Sequence, residues 1–202
     1  MRQGSLSLAL ALGLVAAPAA AQQFSADIVS TGMPGAGPSK IYVSDGKLRM
    51  ESGHGTMLAD AKANTAYMLM PQQKMYMDMG EHGNFAEMFM PTNVDDPCPE
   101  WQKAARAAQP DAAAWTCSRV GDDTVGGRSV VKYQAAANDG ITHYAWLDPK
   151  LRIIIKTQDS NGNSMELQNI KEGAQPATLF VLPADYRKFD MQQMRQQQQE
   201  GQ

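Results

Sequence analysis

The stretch Thr65–Met79, TAYMLMPQQKMYMDM, decides how the chain folds. It reads as two strands around a short loop. Met68 and Met70 alternate with Tyr67 and Leu69 on the first arm, and Met75, Met77 and Met79 alternate with Tyr76 and Asp78 on the second. A four-residue turn, Pro71–Lys74, sets Met70 opposite Met75 and Met68 opposite Met77. Strand side chains point to alternate faces, so Ala66 and all five methionines share one face, and the tyrosines, Leu69 and Asp78 take the other. Methionine is flexible, apolar and polarisable. A stripe of it suits a packed core, a wall for a greasy ligand or a thioether metal site. Nine of the 14 methionines fall between Met50 and Met90.

Upstream, Lys40–Ser44 and Lys47–Glu51 flank Asp45-Gly46, a strong two-residue hairpin signal. That register pairs Val43 with Leu48, Ile41 with Met50, and Lys40 with Glu51, an opposite-charge cross-strand pair. Phe24–Thr31 is read as the first strand, Gly32–Pro38 and Gly53–Gly55 as loops, and Met57–Asp60 as a short strand before the methionine hairpin. Downstream, Phe85, Met88 and Phe89 have helical spacing. Asp96-Pro97 then resembles a helix start, with Trp101, Ala104, Ala105 and Ala108 on one apolar face and Pro110 as its stop. A helical insert is therefore expected over about 81–115.

Strands resume at Arg128–Ala136, Ile141–Leu147, Arg152–Gln158 and Met165–Lys171, separated by Asn/Asp/Gly/Pro turns. With a two-residue turn at Pro149, Trp146 faces Ile153, Tyr144 faces Ile155, and His143 shares the other face with Arg152 and Lys156. Pro176–Pro183 is an apolar segment that docks on the sheet. Met191–Gln202 is glutamine-rich, and residues 190–202 read as a flexible tail.

Residues 1–21 read as a secretory signal. Arg2 precedes an apolar run over Leu6–Ala17, then a small-residue cleavage site, and the run is too short to span a bilayer. No cysteine sits at that site to carry lipid, and no later run is long enough for a transmembrane anchor. The expected location is the periplasm or the exterior. Residues 22–189 are enough for one domain with a real core. The net charge of −3 and the absence of a basic patch argue against a nucleic-acid partner. In an exported chain the only two cysteines, Cys98 and Cys117, are expected to form a disulfide worth about 3 kcal/mol.

Catalytic chemistry finds little support. His54, His82 and His143 are read as surface residues, and the disulfide removes both thiols as nucleophiles. No phosphate loop or paired metal-ligand helix exists. Asp159–Asn163 begins like a calcium loop but continues with Ser164 and Ile170 where Gly and Glu are needed. The aromatic set Tyr133, Tyr144, Trp146 and Phe180 reads as core.

The pieces YMLMPQQKMYMDM, YAWLDPKLRIIIKTQ and MELQNIKEG, with the ending LFVLPADYRKF, resemble uncharacterised secreted domains grouped with the LolA and LolB lipoprotein-carrier superfamily, over about residues 24–189. The resemblance implies a mainly β fold. Its core is an antiparallel, incompletely closed barrel (a LolA-like half-barrel) with a short helical insert on its concave side and a C-terminal helix or tail. It also implies a cavity for acyl chains or lipid-like groups.

The expected function is non-enzymatic binding of an apolar ligand, a lipid, acyl chain or lipidated peptide, by a monomer. The expected wall is Ile41, Val43, Leu48, Met50, Met68, Met70, Met75, Met77 and Met79, with no cofactor and no assigned metal ligand. A methionine-rich copper(I) protein and a ligand-free interaction or stress-sensing module of the envelope are the alternatives.

Overall fold

The computed structural model describes residues 22–32, 37–80, 92–108, 116–136 and 140–189. The signal-like segment, the Gln-rich tail, the Phe85–Phe89 helical segment and His82 lie outside them. Twelve strands form one sheet, antiparallel throughout except at one edge pair. In chain order they are β1 (Gln23–Thr31), β2 (Ser39–Ser44), β3 (Lys47–Ser52), β4 (Gly55–Asp60), β5 (Thr65–Met70), β6 (Met75–Asp78), β7 (Thr116–Val125), β8 (Arg128–Ala136), β9 (Thr142–Asp148), β10 (Ile153–Asp159), β11 (Ser164–Glu172) and β12 (Arg187–Lys188). Among the described residues one α-helix, α1 (Cys98–Ala108), interrupts them. The spatial order is β12-β6-β5-β4-β3-β2-β1-β11-β10-β9-β8-β7. The sheet is thus two meanders joined where β1 pairs with β11, and it does not close: β12 and β7 are separate edges. The mainly β, antiparallel and incompletely closed sheet is the fold class expected from the sequence.

Local chemistry explains the meander. Asp45 and Gly46 both take positive φ, 53° and 84°, as a two-residue hairpin requires. The expected pairs Lys40–Glu51, Ile41–Met50 and Val43–Leu48 are all present. Pro71–Gln73 forms a 3-10 turn that ends on Lys74 in the left-handed region. That four-residue loop yields the expected pairs Met70–Met75 and Met68–Met77.

The core lies on one face of the first meander. Phe24, Ala26, Ile28, Ile41, Val43, Leu48, Ala59 and Ala66 are buried, together with Trp146, Ile153, Ile155 and Leu167 from the second. The opposite face of β3–β5 is covered by the C-terminal segment. Arg49 Nη1 donates to the Leu179 carbonyl (3.1 Å), beside the 3-10 turn Ala177–Phe180, and Leu58 and Leu69 are buried on that face. The expected docking of Pro176–Pro183 on the sheet is therefore found.

Four expectations are corrected. The strand β7, ten residues long, has no counterpart in the sequence reading, because TCSRVGDDTV lacks an apolar alternation. It is an edge strand whose side chains are mostly exposed, so nothing selects for one. The turn after Asp148 spans Pro149–Arg152, with Arg152 at φ 58°, rather than two residues. Ile153 therefore pairs with Asp148, and a bulge follows that sets Lys156 opposite Trp146 and Gln158 opposite Tyr144. His143 pairs with Asp159 instead of sharing a face with Arg152. Ala104, expected on the apolar face of α1, is exposed.

Asp148 anchors that corner. Its side chain is 2% exposed, and it accepts the backbone N–H groups of Lys150 and Leu151 and a charged bond from Arg128. Arg128 also bonds Glu172 at 2.9 Å, which Lys150 reaches at 2.7 Å. Removing one partner of a buried pair leaves an uncompensated charge. Arg128→Met is expected to cost about 3 kcal/mol, read as a lower urea midpoint at unchanged slope.

The strand β12 is held by two backbone bonds, Arg187 N–H to Lys74 O (3.0 Å) and Phe189 N–H to Tyr76 O (2.7 Å). Two exposed ion pairs, Lys74–Asp185 and Lys188–Asp78, flank them. The hydrogen bond from Lys188 holds the Asp78 carboxyl below its usual range, and that from Lys74 does the same for Asp185. The same bonds raise both lysines. Lowered carboxyls contribute above their unfolded pKa and are lost as pH falls through the folded one. Raised lysines contribute below theirs and are lost as pH rises past it. The docking of β12 is therefore expected to weaken below about pH 4 and above about pH 10. The amide resonances of Arg187 and Phe189 should move toward random-coil positions in both limits while those of β2 stay.

Candidate ligand-binding face

Cross-strand partners share a face, so the registers of β1–β6 line the core face in rows. One row runs Phe24–Val43–Leu48–Ala59–Ala66. Met79 extends it, its N–H bonded to Ala66 O at 2.9 Å. The next row runs Ala26–Ile41–Met50–Met57–Met68–Met77. Beyond it lies the pair Met70–Met75. In the first row the strand residues are fully buried. In the second, burial falls off along the sheet: Ala26 and Ile41 are buried, while Met50, Met57, Met68 and Met77 are half-buried. Met70 and Met75 are half-buried too. Neighbouring strands are about 4.8 Å apart, so four thioether side chains stand abreast on four successive strands.

The expected wall residues therefore divide. Ile41, Val43 and Leu48 lie in the buried core. Met50 and Met79 are partly buried and packed against it. Met68, Met70, Met75 and Met77 lie together on the hairpin β5–β6, half-buried. Met57 is a member of the row that sequence reasoning passed over. Reading Gly53–Gly55 as a loop hid the tight Ser52–Gly55 pairing that puts Met57 between Met50 and Met68.

Gly55 makes the row possible. Its φ is +137°, and a Cβ there would sit 2.8 Å from the Leu69 carbonyl oxygen and 3.4 Å from Met68 Sδ. The bare backbone lets β4 approach β5 closely and leaves room for the Met68 sulfur.

The second meander carries α1, which packs beside β7. The row Ser30–Met165–Thr157–Ala145–Tyr133 runs across the sheet from β1, and Ser30 shares the face of Ile28. Trp101 of α1 meets the Tyr133 ring edge-on, with centroids 5.4 Å apart. Between helix and sheet is a cavity of about 450 Å³, within the usual range for ligand sites. Trp101, Tyr133, Ala145, Ile154 and Thr157 line it, with His143 and Asp159 on polar ground. Cys117 also lines it, and its disulfide to Cys98 (Cα–Cα 5.6 Å) ties the start of α1 to β7.

The adjacent row pairs Lys132 with Trp146 and Trp146 with Lys156. Trp146 is buried there between Lys132 and Lys156, whose ammonium groups lie 4.8 Å and 5.3 Å from its ring. Trp146 Nε1 donates to Asp123, which holds that carboxyl below its usual range. Tyr133 and Trp146 are buried, as expected of core aromatics, while Tyr144 and Phe180 are half-buried. Among the described residues no group of three or more His, Cys, Asp and Glu side chains has metal-binding geometry, and no helix is long and apolar enough to cross a membrane.

No family model matches the chain, and no curated protein matches it. Among solved structures, an uncharacterised conserved protein from Thermus thermophilus superposes with a TM-score of 0.51 at 8% identity, over 85% of this chain and 91% of that one. This likeness concerns the fold. MucB in the Pseudomonas aeruginosa MucA/MucB complex gives 0.48 at 16% identity over 81% of this chain, which spans 56% of that one. A putative outer membrane lipoprotein-sorting protein domain from Vibrio parahaemolyticus gives 0.25 at 9% identity, over 78% and 88%.

Gly55→Ala combines a disfavoured φ with a collision against Leu69 O, and is expected to cost about 1–3 kcal/mol. The check is a thermal melt beside Gly53→Ala, where a Cβ has open space around it and little change is expected.

Proposed function

We propose that this chain is a non-enzymatic binding protein of the cell envelope that takes an apolar ligand, a lipid, acyl chain or lipidated peptide, on its concave face. The observation that carries the reading is the half-buried row Met50–Met57–Met68–Met77 on the same face as the buried core. A stripe needed only for packing would be closed over as Leu48, Ala59 and Ala66 are. Thioether side chains with three rotatable bonds adapt to ligands of varied shape, which favours breadth over selectivity. Each buried methylene of an acyl chain contributes about 0.8 kcal/mol. Roughly ten of them give on the order of 8 kcal/mol before the entropy of association is subtracted. The Cys98–Cys117 disulfide and the signal-like N-terminus both suit an oxidising compartment, so the ligand is one met in the periplasm or beyond.

The test is native mass spectrometry of the mature protein from its own envelope, followed by solvent extraction and titration with the apolar dye 1-N-phenylnaphthylamine. A bound species of lipid mass, lost on extraction, with dye binding displaced by a fatty acid, is the expected result. Met57→Glu with Met68→Glu should weaken dye binding at least about tenfold, a loss of about 1.4 kcal/mol or more. The bare chain mass together with no dye binding would overturn the reading and leave a protein partner in place of a lipid.

A further inference from the structure

We propose that the hairpin β5–β6 also binds a soft monovalent cation, copper(I), through the thioethers of Met68, Met70, Met75 and Met77. The four side chains come from two directly opposed pairs, Met68–Met77 and Met70–Met75, on one face of one hairpin. Opposed Cβ atoms are about 5 Å apart and next-but-one residues along a strand about 6.8 Å apart, so the four Cβ atoms mark a rectangle whose centre is about 4 Å from each corner. Each sulfur lies two bonds past its Cβ on a chain with free torsions. All four can therefore lean over that centre without backbone movement.

Two features of the structure favour convergence. The loop between the strands is short and fixed, with the Lys74 N–H bonded to Pro71 O at 3.2 Å. The outer strand is held from its far side by β12, through backbone bonds at Lys74 and Tyr76. The scaffold is thus ordered before any ion arrives.

The ligand chemistry selects the ion. Thioethers are soft and neutral, and they suit copper(I) over zinc, magnesium or calcium. They carry no proton to displace, so binding should be indifferent to pH where sites built on His, Cys or carboxylates weaken in acid. The site occupies part of the face assigned above to an apolar ligand, yet depends on sulfur rather than on apolar area. Leucine in place of methionine separates the two properties.

The experiment uses the full mature chain with its disulfide intact, confirmed by mass. Copper(I) is kept reduced by ascorbate without oxygen and offered from its bicinchoninate complex, and silver(I) serves as a redox-inert parallel. The expected result is transfer of one equivalent from the chelator, with equal affinity at about pH 5 and about pH 7. M68L/M70L/M75L/M77L should lose that equivalent while keeping its circular dichroism and its urea midpoint. If the fourfold variant fails to fold, M68L/M77L should show the loss alone. No transfer from the chelator by the wild-type chain would overturn the proposal. So would an equivalent that survives in a folded leucine variant, or one that vanishes between about pH 7 and about pH 5.

Discussion

The backbone ladder from β1 to β6 is the constraint on which the rest depends. Side chains in a strand alternate with a period of two, so one slipped residue anywhere turns a whole strand over. Five consecutive registers hold here without a bulge among β1–β6. Their agreement is what lines up Ala26, Ile41, Met50, Met57, Met68 and Met77 in one row. A slip at the Asp45-Gly46 turn would send Leu48 to the C-terminal segment and bring Arg49 into the core. The burial of a charged group without a partner is costly enough to exclude that. Turn chemistry and core chemistry thus choose the same register.

The joint between the meanders is looser. A bulge interrupts β1–β11 near Ala26, with Asn169 at φ 52°, and others interrupt β9–β10 and β7–β8. Bulges bend and twist a sheet locally. They fall in the half that carries α1 and the cavity, whereas the methionine half is regular. The regular half presents evenly spaced side chains, and the irregular half curves around a volume. The disulfide sits on the irregular side, where a helix fixed to an edge strand has the fewest sheet contacts to rely on.

This division also explains what could be read from the sequence. The two hairpins of the first meander were legible because Asp45-Gly46 and Pro71–Lys74 have strong local preferences and flank clean alternation. The second meander hid its register, because the Pro149 turn takes two more residues than the shortest hairpin and the Ile155 bulge has no local signature. β7 was invisible for a related reason. An exposed edge strand satisfies its backbone on one side only and needs no apolar face, so TCSRVGDDTV resembles a loop. The short β12 is set by partners distant in sequence, Lys74 and Asp78, which no window around Arg187 contains. Of the expected wall, the pairing of the hairpin methionines was legible from alternation and the Pro71–Lys74 loop. That Ile41, Val43 and Leu48 are buried while the methionines are only half-buried was not, since one alternation serves both.

That last distinction bears on how such a face evolves a use. Residues of the Val43–Leu48–Ala59–Ala66 row are committed to the core, where even one methylene is felt. The methionine row beside it contributes less to folding, so its side chains are freer to vary in role. The same thioether satisfies the sheet as an apolar neighbour, an adaptable ligand as a soft wall, and a soft cation as a donor. Leucine would satisfy the first two but not the third, and isoleucine or valine, with better strand propensity, would satisfy only the first. The choice of methionine at Met50, Met57, Met68, Met70, Met75 and Met77 is therefore not explained by β-sheet formation. It points to whatever touches that face.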